Sequence, residues 1–384
     1  MDLSRSRPEA AAPARSVPSS ERWLRSHADT AAILIVALGL ATRLLAARRS
    51  FVIFDETLHL QLASPASVLG VYRASLTSAH PPLFVLLLHF WYGIVGSGWQ
   101  LCLLPVAFGT AFLWAAYRWA GSVFGKASAL LTLGLLAFLP SLVLLSAELR
   151  GYAMMLWLVA AALAALERAF RRESPRWFAL FAALAALALL THYAALRFTV
   201  AVFVYGAVRL RVERSPARLV GTYAASLAAV ATVFLFLEAR HVSALRGGAL
   251  EREAQADWLR ASYFRTAEES AIRFLVRQTA ALFQFLFSSP AAGIAAGLLV
   301  LGGVALLALR RQPSAILLGL PFAIAAAGGL LRLYPYGGSR HSVDLGLFAC
   351  GAIGVALSRL ASDRLWVAVA LAAALMPAGF AVGW

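Results

Sequence analysis

The sequence predicts an all-α polytopic membrane protein, and three observations support this fold class. The mean hydropathy is +0.77, and 61% of the 384 residues are hydrophobic while only 14% are charged. Apolar runs recur along nearly the whole chain, and the breaks between them are too short for a water-soluble domain. A soluble core of this size could not bury so much apolar surface. The bilayer is therefore the expected solvent for most of the chain.

The net charge of +16 does not indicate a nucleic-acid partner, because the basic residues fall in short clusters between apolar runs. Such clusters are typical of loops that stay on the cytoplasmic side of a membrane. Cys102 and Cys350 lie inside apolar runs. They predict small buried residues instead of a disulfide or a metal framework.

The beginning of the chain predicts a tail followed by a membrane anchor. Residues 1–29 are rich in Arg, Ser, Pro and Ala, which is the composition of a disordered cytoplasmic tail. The apolar run 31–47 predicts an uncleaved signal anchor, with a cleaved signal peptide as the alternative. Arg43 lies near the outer end of this run, where its long side chain is expected to reach the lipid headgroups.

The basic clusters orient the remaining runs and predict about 11–12 transmembrane helices. One of these is a continuous span over 127–145. Residues 81–95 are too short for a standard span and predict an interfacial or re-entrant helix in the first loop, with a true span as the alternative. The expected external loops are 48–100, 147–151, 238–290 and 332–342.

Polar residues collect in the segments that this topology places outside. Six of the seven histidines fall there, and several arginines lie against the orientation rule, which predicts a site for an anionic ligand at the outer surface. The histidines are His59, His80, His89, His192, His241 and His341. The arginines are Arg43, Arg48, Arg49, Arg73, Arg150, Arg197, Arg332 and Arg340.

The stretch FDETLHLQLA, residues 54–63, places two carboxylates directly after the first anchor. Ionised groups at a membrane are functional candidates, so we interpret Asp55 as the catalytic base and Glu56 as its catalytic neighbour. Asp55 and His59 share a helical face at i, i+4. A divalent metal on Asp55, Glu56 and His59 is the alternative interpretation, although no cofactor is expected to be essential.

Three further stretches contain candidate substrate ligands. His80 precedes two prolines that predict a helix start, where an imidazole and free amides suit a phosphate. Glu148, Arg150 and Tyr152 share one short turn, and an acid and a base at such a place either pair or bind a ligand. The third is YPYGGSRHSVDL, 334–345, which contains the last two candidates. Its two glycines are followed by Arg340 and His341 just before a helix, a pattern that favours phosphoryl oxygens.

Together these stretches resemble the GT-C glycosyltransferases. The resemblance rests on DE in the first loop, HPPL at the next helix start, the E-x-R-x-Y turn and the late GGSRH loop. It extends over residues 30–384 and is strongest to the branch that includes protein O-mannosyltransferases and the lipid A aminoarabinose transferase. It implies a GT-C-like transmembrane bundle whose external first loop contains interfacial helices.

The resemblance also implies an activity. Such an enzyme transfers a sugar, with inversion, from a polyprenyl-phosphate donor to a hydroxyl of a glycan, lipid or protein acceptor. The expected place is the outer face of a bacterial-type inner membrane. Asp55 would be the general base, Glu56 would position the acceptor, and Arg150, Arg340 and His341 would hold the phosphate. Sugar, acceptor and oligomeric state stay open.

This sequence departs from the family pattern in two places, so not every residue role in the family can be assigned to this chain. Relatives often use a Lys near the HPP-type helix start, whereas the single Lys of this chain, Lys126, falls in a predicted cytoplasmic loop. The sequence also ends at Trp384, without the soluble domain with which some relatives contact acceptors.

A polytopic lipid or glycan transporter without transferase activity is the alternative function. Transporters usually place ionisable residues at mid-membrane in broken helices of paired repeats. Here the polar residues concentrate at one predicted surface, and no clear repeat is present. The transferase is therefore the favoured prediction.

Overall fold

The computed structural model describes residues 19–50, 54–246, 248–361 and 364–376. The side chains of residues 19–22, 25, 54–55 and 249–251 lie outside this description. Asp55 is therefore placed by its helical backbone alone.

Every regular element in the described ranges is helical, and the helices are numbered in chain order. The helices before the middle of the chain are α1 Ser19–Arg49, α2 Phe54–Ala63, α3 Val68–Ser75, α4 Pro82–Val95, α5 Leu103–Phe124, α6 Lys126–Phe138, α7 Pro140–Leu145, α8 Tyr152–Arg172 and α9 Pro175–Thr191. Those that follow are α10 Ala195–Val212, α11 Ala217–Leu237, α12 Ser243–Leu245, α13 Ala249–Ala256, α14 Ala271–Phe287, α15 Pro290–Leu309, α16 Ser314–Leu330, α17 Leu345–Leu360 and α18 Leu365–Ala374.

Five described helical segments are long and apolar enough to cross a membrane. They are Ser26–Arg49, Trp99–Phe124, Tyr152–Arg172, Ala217–Leu245 and Pro290–Leu309. Six shorter apolar helices, α4, α6, α9, α16, α17 and α18, accompany them. The predicted class of polytopic helical membrane protein is confirmed, and the division into about 11–12 full spans stays a prediction.

The first helix begins earlier than the composition of the tail predicts. Helix α1 starts at Ser19, so the prediction of disorder is wrong for residues 19–29. The helix extends because its first turns have partners in the bundle. Ala28 is buried, and Asp29 accepts a hydrogen bond of 2.6 Å from the Tyr117 hydroxyl. Residues 1–18 lie outside the described ranges.

The predicted continuous span over 127–145 is broken into α6 and α7. Pro140 lacks an N–H group and cannot bond the carbonyl of Leu136, so the helix ends at Phe138. The guanidinium of Arg43 donates to the carbonyls of Leu136 at 3.2 Å and Ala137 at 2.9 Å. Arg43 is fully buried, so the expectation that it reaches the headgroups is wrong. It stabilises the helix break instead.

Two segments predicted as external loops contain helices of their own. Helices α2, α3 and α4 fold against one another between α1 and α5. His89 on α4 reaches the Ala63 carbonyl at the end of α2 with 2.8 Å between Nδ1 and oxygen. In the segment 238–290, α14 buries Phe274, Leu282 and Leu286 against the bundle. These helices bring distant polar stretches toward one end of α8, α9 and α17.

Candidate active site

The candidate site is built around a row of aromatic rings from four segments. His59 on α2 lies 5.1 Å from His80, measured between ring centroids, and His80 lies 5.4 Å from His192. The ring of Tyr152, the first residue of α8, lies 4.5 Å from that of His192. Three predicted site residues, His59, His80 and Tyr152, are therefore brought together, and His192 joins them.

A buried carboxylate ties the first loop to the E-x-R-x-Y turn. Glu56 is 1% exposed, and its Oε1 accepts a hydrogen bond of 2.7 Å from the backbone N–H of Leu149. Asp55 precedes Glu56 on α2, but its side chain lies outside the described residues. The contact nevertheless places the backbone of Asp55 beside the turn that contains Glu148 and Arg150.

Glu148 and Arg150 form the acid and base pair that the turn predicts. Arg150 Nε lies 3.4 Å from Glu148 Oε2. The Arg150 side chain is 3% exposed and that of Glu148 is 24% exposed. The positive charge of Arg150 reaches the imidazoles, because Arg150 is among the groups that lower the pKa of both His80 and His192.

His192 has a defined tautomer in its neutral form. The backbone N–H of Ala194 donates to Nδ1 at 3.1 Å, so the ring proton belongs on Nε2. Nε2 is buried and has no hydrogen-bond partner among the described residues. Burial, followed by the charges of His341, Arg197 and Arg150, lowers the pKa of His192 well below its usual range. A buried donor without a partner in cationic surroundings suits an anion.

The loop that contains His80 is held from two sides. The Ser78 hydroxyl bonds the Ser75 carbonyl at 2.9 Å. The Ser78 carbonyl accepts from Nε2 of His241 at 2.8 Å, and Nδ1 of His241 then accepts from the Tyr193 hydroxyl at 2.5 Å. His80 precedes Pro81 and the helix start of α4 as predicted. Its pKa is lowered well below the usual range, first by burial and then by the charges of His192 and His59.

The late loop is anchored by an arginine for which the sequence suggests another role. The Nε of Arg197 donates to Asp344 Oδ2 at 3.1 Å, and its Nη2 donates to the carbonyl of His341 at 2.6 Å. The guanidinium also stacks 4.8 Å from the ring centroid of Tyr334. Asp344 compensates the charge of Arg197, so the prediction that Arg197 awaits an external anion is wrong. It positions the loop instead.

The two glycines of this loop allow a close approach to α14. Gly337 has φ of +124°, which favours glycine. A Cβ on Gly338 would lie 2.6 Å from the carbonyl oxygen of Ala281, closer than real contacts allow. Arg340 and His341 follow in a 3₁₀ turn, and both are half-buried. Close packing against α14 therefore explains the two glycines before Arg340 and His341.

Two aromatic rings lie near His341. Its ring lies 6.2 Å from that of Trp258 and 6.3 Å from that of Tyr334. Trp258 is 55% exposed. Other arginines of the expected outer set have separate contacts. Arg48 lies 5.1 Å over the ring of Trp99, and Arg332 donates to Gln255 at 2.7 Å.

The sequence indicates only part of this site. His192 is visible as a histidine at the end of an apolar run, yet no motif distinguishes it from His241. Asp344 and Tyr334 lie inside the YPYGGSRHSVDL stretch without a sequence signal for their pairing with Arg197. That pairing depends on α10 and the late loop meeting in space.

The side chains that the structure describes, which exclude Asp55, bear on a metal centre. Among them no three His, Cys, Asp or Glu side chains are gathered so that they could hold an ion. His59 and Glu56 lie on the same short helix, but Glu56 is engaged by the Leu149 amide. The alternative metal site on Asp55, Glu56 and His59 includes a side chain outside the described residues, so it stays a prediction.

Comparisons with known proteins agree with this fold. Residues 79–237 match the family model described as dolichyl-phosphate-mannose-protein mannosyltransferase. The oligosaccharyltransferase AglB from Archaeoglobus fulgidus, solved with an inhibitory peptide and a dolichol-phosphate, matches with a TM-score of 0.57 at 15% identity. The match covers 92% of this chain and 52% of AglB. ArnT from Cupriavidus metallidurans, solved with undecaprenyl phosphate, matches with a TM-score of 0.55 at 17% identity. This second match covers 89% of this chain and 63% of ArnT.

These matches define the class of the chain as an integral membrane protein with the GT-C fold. The predicted resemblance to the mannosyltransferase and aminoarabinose transferase branch is confirmed. The chain spans about half the length of the AglB chain that it matches. No curated protein sequence matches it significantly.

Proposed function

We propose that this chain is a membrane glycosyltransferase that moves a sugar from a polyprenyl-phosphate donor to an acceptor hydroxyl. One observation carries the proposal. Four segments that are distant in sequence place His59, His80, His192 and Arg150 together at one end of an otherwise apolar bundle. A concentration of cationic and imidazole donors in a protein surrounded by lipid suits an anionic, lipid-borne substrate.

The donor phosphate is held by the cationic part of this site. Arg150 supplies a buried guanidinium, and His80 and His192 supply imidazole donors beside it. Arg340 and His341 approach from the late loop, which the pair of Arg197 and Asp344 holds in place. The dolichol-phosphate bound to AglB and the undecaprenyl phosphate bound to ArnT support a ligand of this chemistry.

The transfer is a single displacement with inversion. The acceptor oxygen forms a bond to the anomeric carbon while the bond from that carbon to the phosphate oxygen breaks. Asp55 takes the proton of the attacking hydroxyl as general base. The cationic groups stabilise the negative charge that develops on the departing polyprenyl phosphate. Glu56 positions the acceptor and, through the Leu149 amide, the turn that contains Arg150.

The reaction takes place on the outer face of a bacterial-type inner membrane. The predicted external loops contain His59, His80, Arg150, Arg340 and His341, and the basic clusters are predicted to face the other side. The acceptor is a glycan, lipid or protein of the cell envelope, and the acceptor peptide tethered to the Archaeoglobus fulgidus oligosaccharyltransferase supports a protein acceptor. No divalent ion is required, because Asp55 acts as a base and the arginines and histidines stabilise the phosphate.

Transfer by the purified protein is the direct test. The full chain is reconstituted into liposomes with polyprenyl-phosphate mannose, glucose or aminoarabinose, and the release of free polyprenyl phosphate is measured with and without envelope extract as acceptor. We expect release that depends on the acceptor, is insensitive to chelator and is lost in Asp55→Asn. Movement of the labelled lipid between leaflets without release of polyprenyl phosphate would instead favour the transporter.

A further inference from the structure

An open apolar groove lies between α10 and α11, away from the candidate active site. Its volume is about 980 Å³, and most of its lining is hydrocarbon. Phe203 on α10 is 55% exposed and Val220 on α11 is 43% exposed. In a bilayer such a groove fills with lipid chains, because an empty groove would forfeit dispersion contacts along its walls.

The groove is held open by a contact between its two helices. The Tyr223 hydroxyl on α11 donates to the carbonyl of Val202 on α10 at 2.6 Å. Gly206 accommodates this ring, since a Cβ there would lie 2.2 Å from the Tyr223 oxygen. Tyr223 therefore fixes the spacing of the helices at the floor of the groove, so the groove is preformed and a ligand need not open it.

One end of the groove is basic. Arg211 and Arg214 line it where α10 ends, and both are exposed. The neighbouring carboxylate of Glu213 accepts from Arg209 at 2.9 Å, and Arg209 also pairs with Glu167 at 2.6 Å. Within the part of the chain that the structure describes, neither Arg211 nor Arg214 has an ion-pair partner. The basic end of an apolar groove complements a lipid with an anionic headgroup.

This basic end is remote from the donor phosphate site. Arg211 lies about 21 Å along α10 from Arg197, at 1.5 Å per residue. Arg197 contacts the late loop of the candidate active site. A phosphate bound at Arg211 is therefore near the opposite membrane surface and cannot be the reacting phosphate.

We propose that the groove between α10 and α11 binds an anionic glycerophospholipid. Its acyl chains lie along Phe203 and Val220, and its headgroup phosphate is held by Arg211 and Arg214. The lipid lies in the cytoplasmic leaflet, on the side predicted for the basic loops, where clustered arginines attract anionic headgroups. It stabilises the packing of α10, the helix that also carries Arg197, and takes no part in the transfer itself.

The test is native mass spectrometry of the full, delipidated protein with phosphatidylglycerol or phosphatidylcholine of identical acyl chains. We expect the wild type to bind phosphatidylglycerol about tenfold more tightly, as two charged contacts to a phosphate imply. The double variant Arg211→Gln, Arg214→Gln should lose this preference. The matched control is Arg310→Gln with Arg359→Gln, two exposed arginines at the ends of α15 and α17 outside the groove, and it should keep the preference.

A second variant tests the groove independently, in case the double arginine variant does not fold. Ala207→Trp keeps both arginines but fills the groove, so binding of phosphatidylglycerol should fall about tenfold or more. The proposal is overturned by equal binding of the two lipids in the wild type, by an unchanged preference in the double arginine variant, or by unchanged binding of phosphatidylglycerol in Ala207→Trp. Stoichiometric displacement of phosphatidylglycerol by polyprenyl phosphate also overturns it, because the groove would then hold the donor chain. No sugar donor is present, so the outcome is independent of transferase activity.

Discussion

Arg197 on α10 and Asp344 before α17 form a buried ion pair between residues 147 positions apart. Both side chains are at most 6% exposed. The same guanidinium bonds the His341 carbonyl and stacks on Tyr334. One arginine thus holds the late loop by three contacts, and the position of Arg340 and His341 depends on it.

Removing one partner of this pair should destabilise the protein strongly. Arg197→Met leaves the buried Asp344 carboxylate without compensation, and loss of one partner of a buried pair typically costs about 3–5 kcal/mol. We expect a large fall in the thermal unfolding midpoint in detergent, together with loss of donor binding. Asp344→Leu should behave in the same way.

The double variant Arg197→Met, Asp344→Leu is the control for this prediction. It removes both charges, so no buried charge remains uncompensated and part of the stability should return. Additive destabilisation in the double variant would mean that the pair does not act as a unit.

Variants of Asp55 and Glu56 should differ in turnover, and this difference identifies which residue is the general base. Asp55→Asn keeps the size of the side chain but cannot accept the hydroxyl proton, so transfer should fall by about 100- to 10,000-fold while donor binding persists. Glu56→Gln is the matched control, because its amide oxygen can still accept from the Leu149 N–H. It should retain more activity than Asp55→Asn in the transfer assay. Near-normal turnover in Asp55→Asn with an inactive Glu56→Gln would move the base to Glu56.

Arg340 is predicted to bind the donor phosphate. Arg340→Ala should weaken donor binding by about tenfold or more, because a charge-assisted hydrogen bond is lost. Arg340→Lys should restore binding only in part, since an ammonium cannot replace the two-pronged guanidinium. Donor affinity is measured by titration with a fluorescent polyprenyl phosphate, and Arg332→Ala, whose side chain bonds Gln255 at the surface, serves as control. Wild-type affinity in both Arg340 variants would refute the role.

The neutral state of His192 predicts a loss of stability in acid. Burial and nearby cations hold its pKa well below its usual range in the folded protein, whereas an unfolded histidine titrates near about 6.5. Below about pH 6.5 the unfolded chain binds more protons than the folded protein, so the free energy of unfolding decreases as the pH falls toward the lowered pKa of His192. Above about pH 6.5 the stabilising contribution of neutral His192 is fully present. The groups that surround His192 are His59, His80, Arg150, Tyr152, Arg197 and His341.

Thermal unfolding in detergent at several pH values checks this prediction. His192→Gln should show a smaller fall in midpoint between about pH 7.5 and 5.5 than the wild type. Added polyprenyl phosphate should also reduce the fall, because a bound anion favours the imidazolium. An identical pH dependence in wild type and His192→Gln would exclude His192 as the responsible group.

Local chemistry explains what the sequence predicted correctly. Hydropathy is a sum over individual residues, so the prediction of a membrane protein follows from composition and does not depend on any tertiary contact. The two prolines after His80 correctly predicted the start of α4 at Pro82, because a proline's missing N–H is not needed at a first helical position. Charged residues are rare in this chain, so the stretches with Glu148, Arg150, Arg340 and His341 are candidate sites from the sequence alone, and their roles stay predictions.

The contacts of individual arginines were decided by tertiary structure alone. Arg43 and Arg197 look alike in the sequence, as arginines against the orientation rule near the ends of apolar runs. Arg43 bonds the Leu136 carbonyl that Pro140 leaves free, and Arg197 pairs with Asp344. Neither partner lies near its arginine in the chain. A buried charge takes whichever acceptor the packing of distant helices brings within about 3 Å, and that distance is not encoded in any local pattern.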